Sequence, residues 1–124
     1  MKTLLVFGRA GQVAGELARL DVPGWRVLTA GRESLDLATG DIEGFIAETA
    51  PDAVINAAAY TAVDKAESEP DAAFALNRDA PGRMARACAQ SGAAFVHIST
   101  DYVFDGTKPT AYVETDPLAP LGVY

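Results

Sequence analysis

Cysteine, histidine and tryptophan each occur once in this 124-residue chain, and each scarcity excludes something. A lone Cys88 forms no intrachain disulfide and offers no cysteine cluster to a metal. That fits a reducing compartment, the cytoplasm, and Cys88 itself reads as a small buried apolar residue on a helix. His97 has no partners at metal-ligand spacing, so no metal site is expected. Its alternation with Val96 and Ile98 places it between sheet and helix. Basic runs are also missing. Ten Lys and Arg against 17 Asp and Glu leave a formal net charge of −7. This argues against the cationic surface of a general nucleic-acid binder. A small phosphate-bearing ligand is still compatible, because local backbone dipoles hold such ligands. No window approaches the roughly 18 continuous apolar residues of a membrane span, so no membrane partner is expected. The N-terminal apolar run is too short for a secretion signal and has no small-residue cleavage site. With no repeat, low-complexity tract or linker, residues 1–124 read as one domain.

What is present is an alternation of periods. Leu4-Leu5-Val6-Phe7, stopped by Gly8, reads as a buried strand. From Gly11 the spacing turns helical, with Val13, Leu17 and Leu20 on one predicted face. Pro23-Gly24 breaks that helix, and Arg26 to Ala30 reads as a second strand. Thr39 offers an N-cap for a helix marked by Ile42, Phe45, Ile46 and Thr49. Ala53-Val54-Ile55 is a third strand. A helical region follows from about Asp71 to Gln90, with Met84, Ala87 and Cys88 inward and a restart expected at Pro81. Phe95 to Ile98 is the last strand, and Asp105 to Pro120, with three of the seven prolines, reads as an irregular loop. Strands alternating with helices predict an α/β fold, a Rossmann-type doubly wound and mostly parallel sheet. Right-handed crossovers then place every strand's C-terminal end on one edge.

Ligands of such sheets bind outside the carboxyl ends of the strands. After the first strand, Gly8 and Gly11 permit a tight turn and close approach of a pyrophosphate, and Ala14 stands where close helix–strand packing is needed. After the second strand, Arg32 stands where an acidic residue would bind a ribose 2′-hydroxyl. An arginine there suits a 2′-phosphate, which favours NADPH over NADH with Arg32 and Arg9 as phosphate partners; a plain solvated arginine is the other reading. Asp36 and Leu37 either meet an adenine or mark a helix entry. After the third strand, Asn56-Ala57-Ala58-Ala59-Tyr60 is small enough to pass close to a flat ligand, or to serve helix–sheet packing. After the fourth, Ser99, Thr100, Asp101 and Tyr102 put two hydroxyls, a carboxylate and a phenol at the tip of a core strand. They line the nicotinamide end of the crevice or form a capped turn.

Together "FGRAGQVAGEL", "NAAAYTAVDKAESEP", "HISTDYVFDG" and "PLAPLGVY" resemble the extended short-chain dehydrogenase/reductases, and within them the dTDP-4-dehydrorhamnose reductases. The resemblance covers nearly the whole chain and is most specific in the second and third segments. It implies reduction of the 4-keto group of dTDP-4-dehydro-6-deoxy-L-mannose to dTDP-L-rhamnose, using NADPH or NADH. By position, Thr100 resembles the residue that hydrogen-bonds the substrate carbonyl, and Tyr124 the tyrosine that protonates it. Gly8, Gly11, Gln12 and Val13 match the pyrophosphate loop. Ala57, Ala58 and Tyr60, with Ala59 and Ser99 beside them, match the cofactor side, and Asn77 a structural or cofactor-side asparagine. Val63, Asp101 and Tyr102 match substrate-side positions.

Two departures stand out. Gly122 replaces a common asparagine. The family's lysine, four residues beyond the tyrosine, falls outside the sequence, as does the region for the dTDP-sugar. The resemblance therefore implies an N-terminal part of a longer reductase, inactive alone. A second expectation is a non-catalytic NAD(P)-binding regulator, since the regulatory subunit of methionine adenosyltransferase resembles the same reductases. A third is a half-domain that pairs with itself through an exposed sheet edge.

Overall fold

The computed structural model describes residues 1–124. Strand β1 (Lys2–Phe7) is followed by helix α1 (Gln12–Ala18), strand β2 (Trp25–Ala30), helix α2 (Ile42–Thr49) and strand β3 (Ala53–Asn56). Two short helices follow, α3 (Val63–Ala66) and α4 (Pro70–Phe74), then a π-helical turn over Ala75–Asp79 and the long helix α5 (Ala80–Ser91). Strand β4 (Ala94–His97) and a 3-10 turn (Asp101–Val103) complete the regular structure. All four strands are parallel, in the order β2-β1-β3-β4, so the expected doubly wound α/β sheet is present. Leu4 pairs with Val27 and Ala53, and Asn56 with His97, which aligns the carboxyl ends of the strands on one edge. No helix is long and apolar enough to cross a membrane.

The core lies between the sheet and the helices α2 and α5. Alternate strand residues Leu5, Phe7 and Val54 meet Ile42 and Ile46 from α2 and Met84 and Cys88 from α5, all at most 1% exposed. Burying such side chains contributes about 1.5–3 kcal/mol each. Met84, Ala87 and Cys88 face inward as their spacing predicts. Burial pushes the Cys88 thiol pKa up, which suits an apolar role.

Several local expectations are corrected. Asp41, not Thr39, caps α2: its carboxylate accepts the Gly44 N–H at 2.9 Å, whereas Thr39 lies in the turn where its N–H donates to the Asp36 carbonyl. The face Val13–Leu17–Leu20 is not the buried one. Val13 is 46% and Leu20 52% exposed, and the residue that packs is Ala14, because α1 lies too close to the sheet for a larger side chain. The restart expected at Pro81, by contrast, is present: α5 begins at Ala80, after the π-helical turn, and Pro81 sits in its first turn, where a missing N–H costs little. Strand β4 begins at Ala94 and ends at His97, one residue earlier at both ends than predicted. His97 is exposed rather than packed between sheet and helix. It stacks on Phe95 at 6.4 Å, and its Nδ1 accepts from Asn56 Nδ2 at 3.1 Å. The Asn56 Oδ1 accepts the Ala58 N–H at 3.1 Å, which fixes that side-chain amide's orientation. The segment after Val103 is irregular, as expected, yet internally bonded: Asp105 accepts from Thr107 and Tyr112, and Lys108 pairs with Asp116 at 2.5 Å.

Candidate functional site

The carboxyl edge of the sheet carries two adjoining cavities. The larger, about 820 Å³, is walled by the segments after β1, β2 and β3: Gly8 to Gly11, Ala30 to Ala38 in part, and Ala57 to Ala59, with Thr61 and Leu76. The smaller, about 390 Å³, is walled by Val63, Asp101, Tyr102, Phe104, Asp105, Gly106, Leu121, Gly122 and Tyr124. Thr61 lines one and Val63 the other, so a two-residue step joins them.

The floor of the larger groove is made by absence of side chain. Gly8 has φ 120°, a left-handed value that favours glycine. A Cβ on Gly8 would lie 3.3 Å from the Ala57 carbonyl and 3.4 Å from the Ala14 Cβ. The Gly8 N–H donates to the Ala30 carbonyl, and the Ala57 N–H to the Phe7 carbonyl. Three strand ends are therefore stitched together with almost no side chain between them, leaving an open, flat-floored trough. Gly11, the N-cap of α1, has nothing within 4 Å of its Cβ position, so the trough is also open on that side.

Charge lies on the rim. Arg9 Nη1 meets Glu33 Oε1 at 2.6 Å, and this bond holds the Glu33 carboxyl below the usual carboxylate range. Arg32 lines the groove and makes no ion pair. Asp36 and Leu37 line it too; Asp36 also accepts the Ala38 N–H at 2.9 Å, so it holds a turn and does not enter a helix.

Other candidates lie nearby without lining this groove. Gln12 and Val13 open α1 and are exposed. Tyr60 turns away: its hydroxyl donates to Glu69 Oε2 at 2.6 Å, and that hydrogen bond pushes the phenol pKa up to about 12. Asn77 spends both ends of its amide on the Tyr60 main chain. It braces the Ala57–Tyr60 segment rather than lining the cavity. Ser99 is exposed at the strand tip.

Thr100 answers in part what hydroxyls do at the end of a core strand. Its Oγ1 accepts the Tyr102 N–H at 3.3 Å and donates to Asp101 Oδ1 at 3.2 Å, capping the 3-10 turn. That turn presents Asp101 and Tyr102 to the smaller cavity, where Tyr102 meets Tyr124 edge to face at 5.6 Å. Val63, Asp101, Tyr102 and Tyr124, far apart in sequence, thus come together. Residues the sequence did not single out include Glu33, Leu35, Thr61 and Leu76 in the groove, and Phe104 and Leu121 in the smaller cavity. Glu33 was legible as the residue beside Arg32; Leu76 carries no local signal.

A dTDP-4-dehydrorhamnose reductase from Sinorhizobium fredii is 48% identical over 122 residues, which cover 98% of this chain and 41% of that enzyme. This chain thus spans about two fifths of the length of the curated relatives it matches. The crystal structure of a dTDP-4-dehydrorhamnose reductase from Clostridium acetobutylicum superposes with a TM-score of 0.92 at 36% identity, covering 98% of this chain and 44% of that one. A dTDP-4-dehydrorhamnose reductase from Bacillus anthracis, solved in complex with NADP, gives 0.92 at 32% identity, covering 100% and 45%. The RmlD substrate binding domain family matches residues 1–124, and the chain belongs to that family.

Proposed function

We propose that the protein carrying this chain reduces the 4-keto group of dTDP-4-dehydro-6-deoxy-L-mannose to give dTDP-L-rhamnose, with NADPH as the reductant, in the cytoplasm. The observation that carries the reading is the pair of adjoining cavities on the carboxyl edge, one long and flat-floored, the other lined by Tyr124. Residues 1–124 supply the dinucleotide domain in this reading.

The groove fits a dinucleotide. Gly8 leaves a space that a single Cβ would fill, and Ala57, Ala58 and Ala59 wall it with short side chains. Gly8, Gly11 and the first turn of α1, with Gln12 and Val13, would hold the pyrophosphate, Ala57 to Ala59 the ribose, and Asp36 and Leu37 the adenine end. Arg32 would meet a 2′-phosphate. When bound, the nicotinamide supplies the hydride.

The chain's own residues would manage the oxygen and its proton. Tyr124, beside Tyr102 in the smaller cavity, would give its phenolic proton to the carbonyl oxygen as general acid. Thr100 would orient that oxygen. To donate to it, the Thr100 hydroxyl must give up its 3.2 Å bond to Asp101 while still accepting from the Tyr102 N–H, so only the proton moves and the turn stays capped. Val63, Asp101 and Tyr102 would contact the sugar. Asn77 and Ser99 would act by supporting these segments.

The test is turnover of the dTDP-4-keto sugar by the full-length protein. Tyr124→Phe should lower kcat by about 10²–10⁴-fold, the scale of a lost general acid, and leave the Kd for NADPH within about twofold. An unchanged kcat removes Tyr124 from the reaction.

A further inference from the structure

We infer that Glu33 sets the choice between the two nicotinamide dinucleotides by competing with a 2′-phosphate for Arg9. The inference rests on the dinucleotide reading of the larger groove.

Arg9 follows β1 and Glu33 follows β2, and the two side chains meet across the groove mouth at 2.6 Å. The Glu33 side chain is exposed but folds back along the rim. A Cβ at Gly31 would lie 2.5 Å from its Oε2, so the group is folded over the Gly31 main chain at the tip of β2. That tip is where the ribose of a dinucleotide lies in doubly wound sheets. Four charged side chains line this mouth: Arg9, Arg32, Glu33 and Asp36. Glu33 occupies one guanidinium, while Arg32 makes no ion pair.

The two dinucleotides meet this arrangement differently. A 2′-phosphate adds about −1.5 to −2 charge and needs cationic donors. Arg32 is available to it, whereas the charge of Arg9 is already offset by Glu33, whose carboxylate repels the phosphate unless that pair opens. A free 2′-hydroxyl brings a donor instead. The carboxylate over Gly31 can accept it while still holding Arg9, because a carboxylate has about four acceptor sites. Arg32 thus favours the phosphorylated dinucleotide, and Glu33 opposes that preference.

Titration of the purified protein and its variants with NADPH and NADH, followed by nucleotide fluorescence, tests this. Glu33→Ala should tighten NADPH about tenfold, the scale of one close charge contact, and leave NADH equal or weaker. Glu33→Gln, which keeps the shape and removes the charge, should shift the ratio the same way. In the Glu33→Ala background, Arg9→Ala should cancel the gain, since Arg9 is the group released. A ratio of NADPH to NADH affinity within about twofold of the parent in both Glu33 variants overturns the inference alone. Failure of both nucleotides to bind overturns the dinucleotide reading and the inference with it.

Discussion

Asn77 closes a two-bond clasp on Tyr60: its Oδ1 accepts the Tyr60 N–H at 2.8 Å, and its Nδ2 donates to the Tyr60 carbonyl at 2.9 Å. The residue belongs to the π-helical turn Ala75–Asp79, whose wider winding brings the side chain to a segment 17 residues upstream. Asn77→Ala leaves both main-chain groups without that partner in a half-buried site, at a cost of about 1–3 kcal/mol. Asn77→Asp keeps the acceptor and should cost less. Urea denaturation midpoints of the two variants check the order; equal losses would show that the acceptor half of the clasp contributes nothing.

A pH signature comes from α2 and α5. Arg83 Nε donates to both carboxylate oxygens of Glu43, at 2.8 and 3.1 Å, and its Nη2 to the Gly40 carbonyl at 3.0 Å. The guanidinium lowers the Glu43 pKa from 4.5 to about 2. A carboxyl whose folded value is depressed adds stability above its unfolded value and loses it as pH falls. The contribution is therefore complete above pH 4.5 and disappears towards pH 2. With Glu43 44% exposed, solvent screening keeps it at about 1 kcal/mol or less. Melting temperatures measured between pH 6 and 2 should fall less steeply for Glu43→Gln than for the parent chain.

The segment bearing Tyr124 has its own tether. The Val123 N–H donates to Glu67 Oε1 at 2.8 Å, and the Glu67 carboxylate lies 3.1 Å from where a Cβ on Gly122 would stand. Glu67→Ala should speed amide exchange at Val123 by about tenfold, the scale of one net hydrogen bond, while Glu67→Gln, which retains an acceptor, keeps most of the protection. Exchange followed by NMR reads this independently of any reaction.

The sheet and its edge were legible because strands and glycines carry local signals. Four apolar runs, each ended by Gly, small residues or hydroxyls, give the parallel order's raw material, and the helical spacing of Met84, Ala87 and Cys88 marks the buried face of α5. The N-cap of α2 was misplaced because Thr39 and Asp41 are both good capping types two residues apart, and only three-dimensional reach to Gly44 decides between them. The α1 face was misread because hydrophobic spacing rewards bulk, whereas Gly8 and Ala57 admit only Ala14. Asn77 was left between a structural and a cofactor-side role because sequence shows a polar residue and not its partner. The pairing of Tyr102 with Tyr124 spans 22 positions and had no local trace.

The meeting of Gly8, Ala14 and Ala57 restricts how this protein can diversify. The Ala14 methyl, the Ala57 main-chain carbonyl and a hydrogen on Gly8 already set the distances there, so nothing remains to trim, and any addition pushes main chains apart. Widening the trough by substitution is closed off. Variation compatible with folding falls instead on the exposed charges at its mouth, so descendants of this sequence would differ in what they attract sooner than in the shape they hold.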